Sequence, residues 1–210
     1  MRITATIFFL LLWSALNAQK DPAATPVLNK FSDAALSAPA VSMKFALRVH
    51  DKIEDTEHES DGQVVIKGNM YRLELPDNIM WFDGSSLWTF SPEVKEVTVS
   101  LPEPGDNMFI TSPSSLFDMY KEGFKYSLLE ESPAGSIIDL YPEEPSASEF
   151  SIIRLAIDKQ YRLVSAEYRR KDGIDILVDI TDYQLSGSYA DDFFTFDPSK
   201  YPGVDIIDMR

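Results

Sequence analysis

The chain has 210 residues, no cysteine and a formal net charge of −15. The lack of cysteine excludes disulfides, thiolate metal sites, a cysteine nucleophile and a lipid-modified cysteine. The acidic charge argues against nucleic acid, whose phosphates need clustered Lys and Arg, and against adsorption to anionic lipid surfaces. We therefore expect a soluble acidic protein with no nucleic-acid partner.

Residues 1–18 have the composition of a secretory signal peptide. Arg2 precedes an apolar run at residues 7–12, and residues 15–18 supply the small side chains of a cleavage site. The run is shorter than the ~20 apolar residues that a membrane-spanning helix needs. We predict cleavage after Ala18 and a single domain at residues 19–210. Because an exported chain without disulfides is easiest to place in a periplasm, we predict that location.

The first element predicted after the signal is an amphipathic helix. The Asp-Pro pair at residues 21–22 is typical of a helix start, and Leu28, Phe31 and Ala35 fall on one helical face. Because a second proline follows within the next turn, Thr25 is an alternative N-cap.

Alternating apolar residues predict strands through most of the remaining chain. Residues 43–49 and 71–75 alternate strictly, and Asp-Gly at residues 83–84 is a hairpin signal. A short helix at residues 113–120 interrupts the strands, and a last strand is predicted at Phe194 and Phe196. About ten or eleven strands exceed what an open twisted sheet holds without curling. We therefore predict a mainly β fold with a few α-helices, in which helices cover a strongly curved antiparallel sheet or incomplete β-barrel.

The hidden face of this sheet carries large apolar side chains that either fill a core or line a cavity. For one aromatic residue, core packing is the simpler explanation; as a set, under helices that cover a curved sheet, they favour a cavity. Alternation places Arg72 and Glu74 on the convex, hydrated face. The predicted cavity residues are Phe45, Leu47, Val49, Tyr71, Leu73, Leu75, Trp88 and Phe90 on the concave face, with Leu116, Phe117 and Tyr120 above them.

The sequence gives little support for catalysis. His50 and His58 lie in or beside an acidic loop, at a spacing that matches no zinc motif. No G-x-S-x-G elbow, phosphate-binding glycine loop or EF-hand pattern occurs. We expect no enzymatic activity, no metal and no cofactor. A secreted hydrolase would require folding to bring His50 within reach of a serine or carboxylate in the cavity.

Several segments, in order behind the signal peptide, carry a resemblance to a known family. They are residues 21–24, 27–28, 66–74, 82–92, 112–117, 194–198 and 201–208. Together they resemble LolA, the periplasmic carrier that shuttles lipoproteins to the outer membrane, in the version found in Bacteroidetes. The resemblance covers essentially the whole mature chain, and its most specific part is the closing segment.

The resemblance implies an incomplete antiparallel barrel with a helical lid that holds lipoprotein acyl chains. It implies acylated lipoproteins as cargo, and an inner-membrane ABC lipoprotein-releasing complex and an outer-membrane acceptor as partners; we expect a monomer. Proteobacterial members have Arg-Pro where this chain has Lys67-Gly68, and that arginine is tied to lid closure. Lys67 is therefore a candidate gating residue, although an ammonium lacks the planar fork of a guanidinium.

The alternative function is a lipid or lipoprotein sensor of the same fold that does not transport its ligand. A second membrane segment or a signalling domain would support the sensor, and the sequence shows neither. The membrane-anchored receptor of the same fold is disfavoured, because it needs a lipidated cysteine.

Overall fold

The computed structural model of the chain describes residues 20–102 and 109–210. The predicted signal peptide lies outside the described residues. Within those ranges the chain forms one large β-sheet and one α-helix, together with several short 3-10 turns. The prediction of a few α-helices was therefore too high for this part of the chain.

The α-helix, α1, spans Thr25–Ser37 and begins without a side-chain cap. The backbone nitrogen and the hydroxyl of Thr25 both donate to the carbonyl oxygen of Asp21, at 3.1 and 2.9 Å. Thr25 is thus the first helical residue and not the cap. Pro26 is tolerated because its missing N–H lies in the first turn, where it would have no intrahelical partner. The three apolar residues of the predicted face are buried.

The strands follow one another along the chain, mostly through short turns. Their bounds are β1 Val41–Asp51, β2 Thr56–Lys67, β3 Met70–Glu74, β4 Ile79–Phe82, β5 Leu87–Ser91, β6 Glu96–Ser100, β7 Phe124–Glu131, β8 Gly135–Pro142, β9 Phe150–Asp158, β10 Leu163–Arg170, β11 Ile174–Gln184 and β12 Asp205–Asp208.

These strands form a 12-stranded sheet in the order β12-β6-β5-β4-β3-β2-β1-β11-β10-β9-β8-β7. Neighbouring strands are antiparallel except β12, which runs parallel to β6. The predicted number of strands was slightly low. The strand predicted at Phe194 and Phe196 was wrong, because Asp191–Phe194 forms a 3-10 turn and residues 195–197 are not part of the sheet. Both aromatic side chains are nevertheless buried, as alternate residues of a paired strand would be.

One cluster of buried side chains joins α1 to β1–β3 and to β7–β11. Eight neighbouring strands spaced ~4.8 Å apart can share one compact core only if the sheet bends around it. The face toward α1 is therefore concave, which confirms the predicted curved sheet.

The helix predicted at residues 113–120 consists of two 3-10 turns, Pro113–Phe117 and Met119–Lys121. Together with α1 they form what we call the helical cover of the concave face. In the part of the chain described, no helix has the length and apolar content needed to cross a membrane.

Candidate functional site

The predicted cavity residues fall into two groups, one on each face of the sheet. Val49 and Leu75 are half-buried at the border of the concave cluster, and the other members of the first group are buried. Arg72 and Glu74 point to the convex side, as predicted. The first group, on the concave face or in the cover above it, comprises Phe45, Leu47, Val49, Tyr71, Leu73, Leu75, Leu116, Phe117 and Tyr120.

Trp88 and Phe90 form the second group, and their predicted placement on the concave face was wrong. β4 pairs with β5 so that Phe82 lies opposite Leu87 and Trp81 lies opposite Trp88. Since Phe82 and Leu87 pack against the concave cluster, Trp88 and Phe90 point to the convex side with Trp81. Both Leu87 and Trp88 are large and apolar, so alternation within β5 alone could not decide between the two faces.

The apolar face of the sheet therefore changes sides between β3 and β5. The C-terminal segment at residues 189–204, here called the C-terminal strap, lies on the convex side of β4–β6. Its Phe196 and Tyr201 pack on Trp81, with ring centres 5.6 and 5.7 Å away. The convex cluster of β4–β6 under the strap comprises Ile79, Trp81, Trp88, Phe90, Val97 and Val99. The concave positions of β5 and β6 carry Leu87, Thr89, Ser91, Glu96, Thr98 and Ser100.

Arg72 lies between the strap and the sheet on this convex side. Its guanidinium carbon is 4.9 Å from the ring centre of Phe193 and 5.6 Å from that of Trp81, and one nitrogen lies 2.6 Å from the Glu74 carboxylate. A cavity of about 250 Å³ lies on one side of this stack and is walled by Tyr189, Phe193 and strands β1–β3. A second cavity of about 90 Å³ lies on the other side. Neither cavity opens from the concave face.

Lys67 also points to the convex side. Its Nζ donates to the carbonyl oxygen of Tyr189 at 2.8 Å and to the carboxylate of Asp191 at 2.7 Å. The structure does not bring this gating candidate to the helical cover, because buried Ile66 takes the concave position and alternation turns Lys67 away from it. Lys67 therefore ties the C-terminal strap to β2.

The chain that enters the helical cover contacts β3 and β1 through Tyr71 and Phe45. The hydroxyl of Tyr71 donates to the carbonyl oxygen of Thr111 at 2.8 Å. The ring of Phe109 packs edge-on against Phe45, with ring centres 5.1 Å apart. A side chain of β3 thus does bind a carbonyl of the cover, but that side chain is a phenol on the concave face. Only an apolar role was predicted for Tyr71, because the alternation of a strand gives the face of a residue but not the partner of its hydroxyl.

The second 3-10 turn of the cover is joined to α1. The Tyr120 hydroxyl donates to the Asn29 side-chain oxygen at 2.7 Å, and Phe117 packs on Phe31 with ring centres 5.5 Å apart. Burial raises the pKa of Tyr120, so the phenol stays neutral and remains a donor. The two parts of the cover therefore hold each other as well as the sheet.

The start of α1 is fixed to the edge strand β7 through Asp21. Its backbone N–H donates to the Tyr126 carbonyl oxygen at 3.1 Å, and its carboxylate accepts from the backbone N–H of Leu128 at 3.0 Å and of Ala23 at 2.8 Å. These hydrogen bonds, that from Leu128 first, lower the pKa of Asp21. The sequence predicted a helix start here. The bond from Leu128 to the Asp21 carboxylate could not be predicted, because it depends on the tertiary fold, which brings the edge strand β7 beside the start of α1.

His50 lies at the far end of β1, near the turn to β2. Its Nε2 is 3.7 Å from the Asp55 carboxylate, whose side chain is 98% exposed. His50 is therefore not in the concave cluster, and the arrangement that would have favoured a hydrolase is not formed. Across residues 20–102 and 109–210, no three His, Asp or Glu side chains are grouped as a metal site would require.

Two solved structures with TM-scores of 0.50 or more share the overall fold of this chain. An uncharacterized conserved protein from Thermus thermophilus superposes with a TM-score of 0.54 at 11% identity, over 89% of this chain and 99% of that chain. A DUF1329 family protein from Desulfovibrio piger superposes with a TM-score of 0.50 at 11% identity, over 87% of this chain and 99% of that chain. A LolA superfamily protein from Nitrosomonas europaea gives a TM-score of 0.46 at 16% identity, over 83% and 98%.

Sequence comparison identifies the family. No curated protein matches the chain at a significant level. Residues 17–138 match the family described as "Outer membrane lipoprotein carrier protein LolA". The match extends from the segment before α1 to β8 and so includes β1–β6 and the whole helical cover. The chain therefore belongs to the LolA family of outer membrane lipoprotein carrier proteins.

Proposed function

We propose that this protein is a periplasmic carrier that binds the acyl chains of lipoproteins on its concave face and moves them from the inner to the outer membrane. The observation that carries the proposal is the apolar concave face of β1–β3 and β7–β11 beneath a helical cover. A carrier needs such a cover to move aside when it loads and releases its cargo.

The physical need for such a site follows from the cargo. Each buried methylene of an acyl chain contributes ~0.8 kcal/mol, so a lipoprotein leaving a membrane must hide its chains from water. Leu73 and Met43 have no exposed surface in this structure. The concave face of β1–β3 is therefore closed at these positions, and an acyl chain reaches them only where the cover moves away.

The contacts of the cover indicate which part moves. α1 is fixed at its start by backbone and carboxylate hydrogen bonds to β7, and Lys30 Nζ donates to the Tyr161 hydroxyl at 2.9 Å. The segment at residues 109–121 forms only short 3-10 turns, which are joined to β3 by the bond from Tyr71 to Thr111 and to α1 by the bond from Tyr120 to Asn29. Because 3-10 turns have poorer hydrogen-bond geometry than an α-helix, such a segment opens at a lower free-energy cost than α1. We propose that this segment opens and that α1 stays in place.

The other parts of the proposal rest on the family and the sequence. Residues 1–18 act as the signal peptide, and residues 19–210 form the carrier domain in the periplasm. The partners are an inner-membrane ABC lipoprotein-releasing complex and an outer-membrane acceptor, and the protein works as a monomer without cofactor or catalytic activity.

The experiment is purification of the protein from its native exported fraction, followed by mass spectrometry for acylated peptides. The test variant is Leu73→Glu, which places a carboxylate among the concave residues. The matched control is Lys44→Glu, which places the same group at an exposed position on β1. The comparison uses Leu73→Glu protein that circular dichroism shows to be folded. Acylated peptides should accompany the wild type and Lys44→Glu and be lost from folded Leu73→Glu. Their absence from the wild type would contradict the proposal.

A further inference from the structure

The concave face of β5 and β6 has a chemistry unlike that of the rest of the concave surface. Thr89 lies directly opposite Thr98, and Leu87 lies opposite Ser100. Thr89, Thr98 and Ser100 are half-buried, and they form what we call the hydroxyl shelf. Within the described residues, their hydroxyls make no hydrogen bond to the protein.

The shelf continues directly from the apolar concave face. Met80, Phe82 and Leu87 are half-buried and pack against the concave cluster, and Thr89 lies opposite Met80 in the next strand. An object that lies along the concave face and extends toward β6 therefore passes from apolar side chains to neutral hydroxyls. At another point of the cover, Lys30 of α1 donates to the Tyr161 hydroxyl.

We propose that the hydroxyl shelf binds the polypeptide segment of the cargo that follows its acylated end, as an extended chain. This inference rests on the proposed function, because it gives the peptide a place beside the acyl chains. The acyl groups are joined covalently to the peptide, so the peptide must leave the apolar face within a few residues of them.

The chemistry of the shelf fits a peptide backbone. A hydroxyl both donates and accepts hydrogen bonds, and so it can pair with either a backbone N–H or a carbonyl oxygen. Thr89, Thr98 and Ser100 carry no charge, and the charged residue on the concave face of these two strands is Glu96, two residues before Thr98. Hydrogen bonds from hydroxyls to a peptide backbone are independent of sequence, which a carrier of many different lipoproteins requires.

The test compares two ligands on wild-type protein and on the double variant Thr89→Val/Thr98→Val. The first ligand is a dipalmitoylglyceryl-cysteine joined to a short neutral peptide of Ser and Asn. The second is the same dipalmitoylglyceryl-cysteine capped without a peptide. Affinity is measured by displacement of a fluorescent fatty acid. Valine keeps the shape of threonine and favours strands, so the variant should fold, and circular dichroism checks this.

We expect the wild type to bind the peptide-bearing ligand more tightly than the capped ligand. The double variant should lose roughly tenfold in affinity for the first ligand and little for the second, as expected for two lost hydrogen bonds. Thr181→Val, which alters an exposed threonine on β11, should change neither affinity.

The outcomes separate this inference from the proposed function. If both ligands bind but the double variant does not change their ratio, the shelf does not hold the peptide. If the wild type binds both ligands equally, the inference also fails while the carrier proposal stands. If neither ligand binds, the carrier proposal itself fails.

Discussion

The two halves of the sheet bury opposite faces, and they cover them in different ways. On β1–β3 the apolar face is concave and lies under the helical cover, which is held there by the Tyr71 hydroxyl and ring contacts. On β4–β6 the apolar face is convex and lies under the C-terminal strap. The strap leads into β12, whose ladder with β6 includes backbone hydrogen bonds from Asp205 to Lys95 and from Met209 to Val99. A cover held by side-chain contacts can open without breaking a backbone ladder, whereas the strap is followed by a strand whose backbone hydrogen bonds fix it to the sheet.

The largest effect is expected for a carboxylate added to the concave face. Leu73→Glu should lower the free energy of unfolding by ~3–5 kcal/mol, because it buries a charge without a partner in a closed cluster. Thr89→Glu adds the same group to the same face on β5, where half-exposure should keep the loss below ~1 kcal/mol. Urea unfolding of both variants provides the measurement. Equal losses would mean that the concave face is as buried and apolar at β5 as it is at β3.

On the convex side, Trp81→Ala should cost ~3 kcal/mol, since it removes the ring on which Phe196 and Tyr201 pack. The strap belongs to the fold and not to the carrier site, so binding of a palmitoylated peptide should be preserved below the melting temperature. Trp88→Ala, at a half-buried ring beside it, should cost less. Loss of lipid binding in a folded Trp81→Ala protein would contradict the assignment of separate roles to the two faces.

Asp21→Asn should cost ~1–2 kcal/mol at pH 7, because a charged acceptor for two backbone N–H groups is lost. The pKa of Asp21 is lowered in the folded protein, so its contribution is present above the unfolded pKa and is lost as the pH falls through the folded pKa. The difference between wild type and Asp21→Asn in urea unfolding should therefore shrink below about pH 4. A difference that stayed constant down to the lowest usable pH would indicate that the carboxylate does not hold α1 on β7.

The smallest change in overall stability is expected for Tyr71→Phe. It removes the bond to Thr111 and should cost ~1 kcal/mol or less, concentrated in the segment at residues 109–121. Amide exchange in that segment should become several-fold faster, while exchange in α1 stays the same. Lys67→Met, which releases the strap, serves as the control and should leave the segment unchanged. If exchange became faster only in α1, the part of the cover that opens would be α1 and not the segment at residues 109–121.

The fold followed largely from the sequence because most strands carry strict alternation with only one apolar phase. Residues 43–49 and 71–75 left no choice of face, and their burial matches the prediction. In β5 the apolar residues fall on both faces: Leu87 points to one face, and Trp88 and Phe90 point to the other. Its face was decided by the strap, which comes from residues more than 100 positions later in the chain. Alternation within a strand contains no information about that contact.

The polar contacts of the site were harder to predict than the apolar ones. Tyr71 was placed correctly on the concave face, but its bond to Thr111 joins two segments 40 residues apart. Lys67 was named a gating candidate by resemblance, and its position on the convex side agrees with alternation from buried Ile66.

We propose that acyl chains bind the concave face of β1–β3 and not the convex face of β4–β6. The most direct measurement uses a palmitoylated peptide with a diazirine near the end of its acyl chain, cross-linked to the protein by light and mapped by mass spectrometry. Adducts are expected on Phe45, Leu47, Leu73 and residues 109–120, reduced by unlabelled lipopeptide. Binding to the concave face would be contradicted by the absence of competed adducts, or by adducts confined to the C-terminal strap and to the convex residues Ile79, Trp81, Trp88, Phe90, Val97 and Val99.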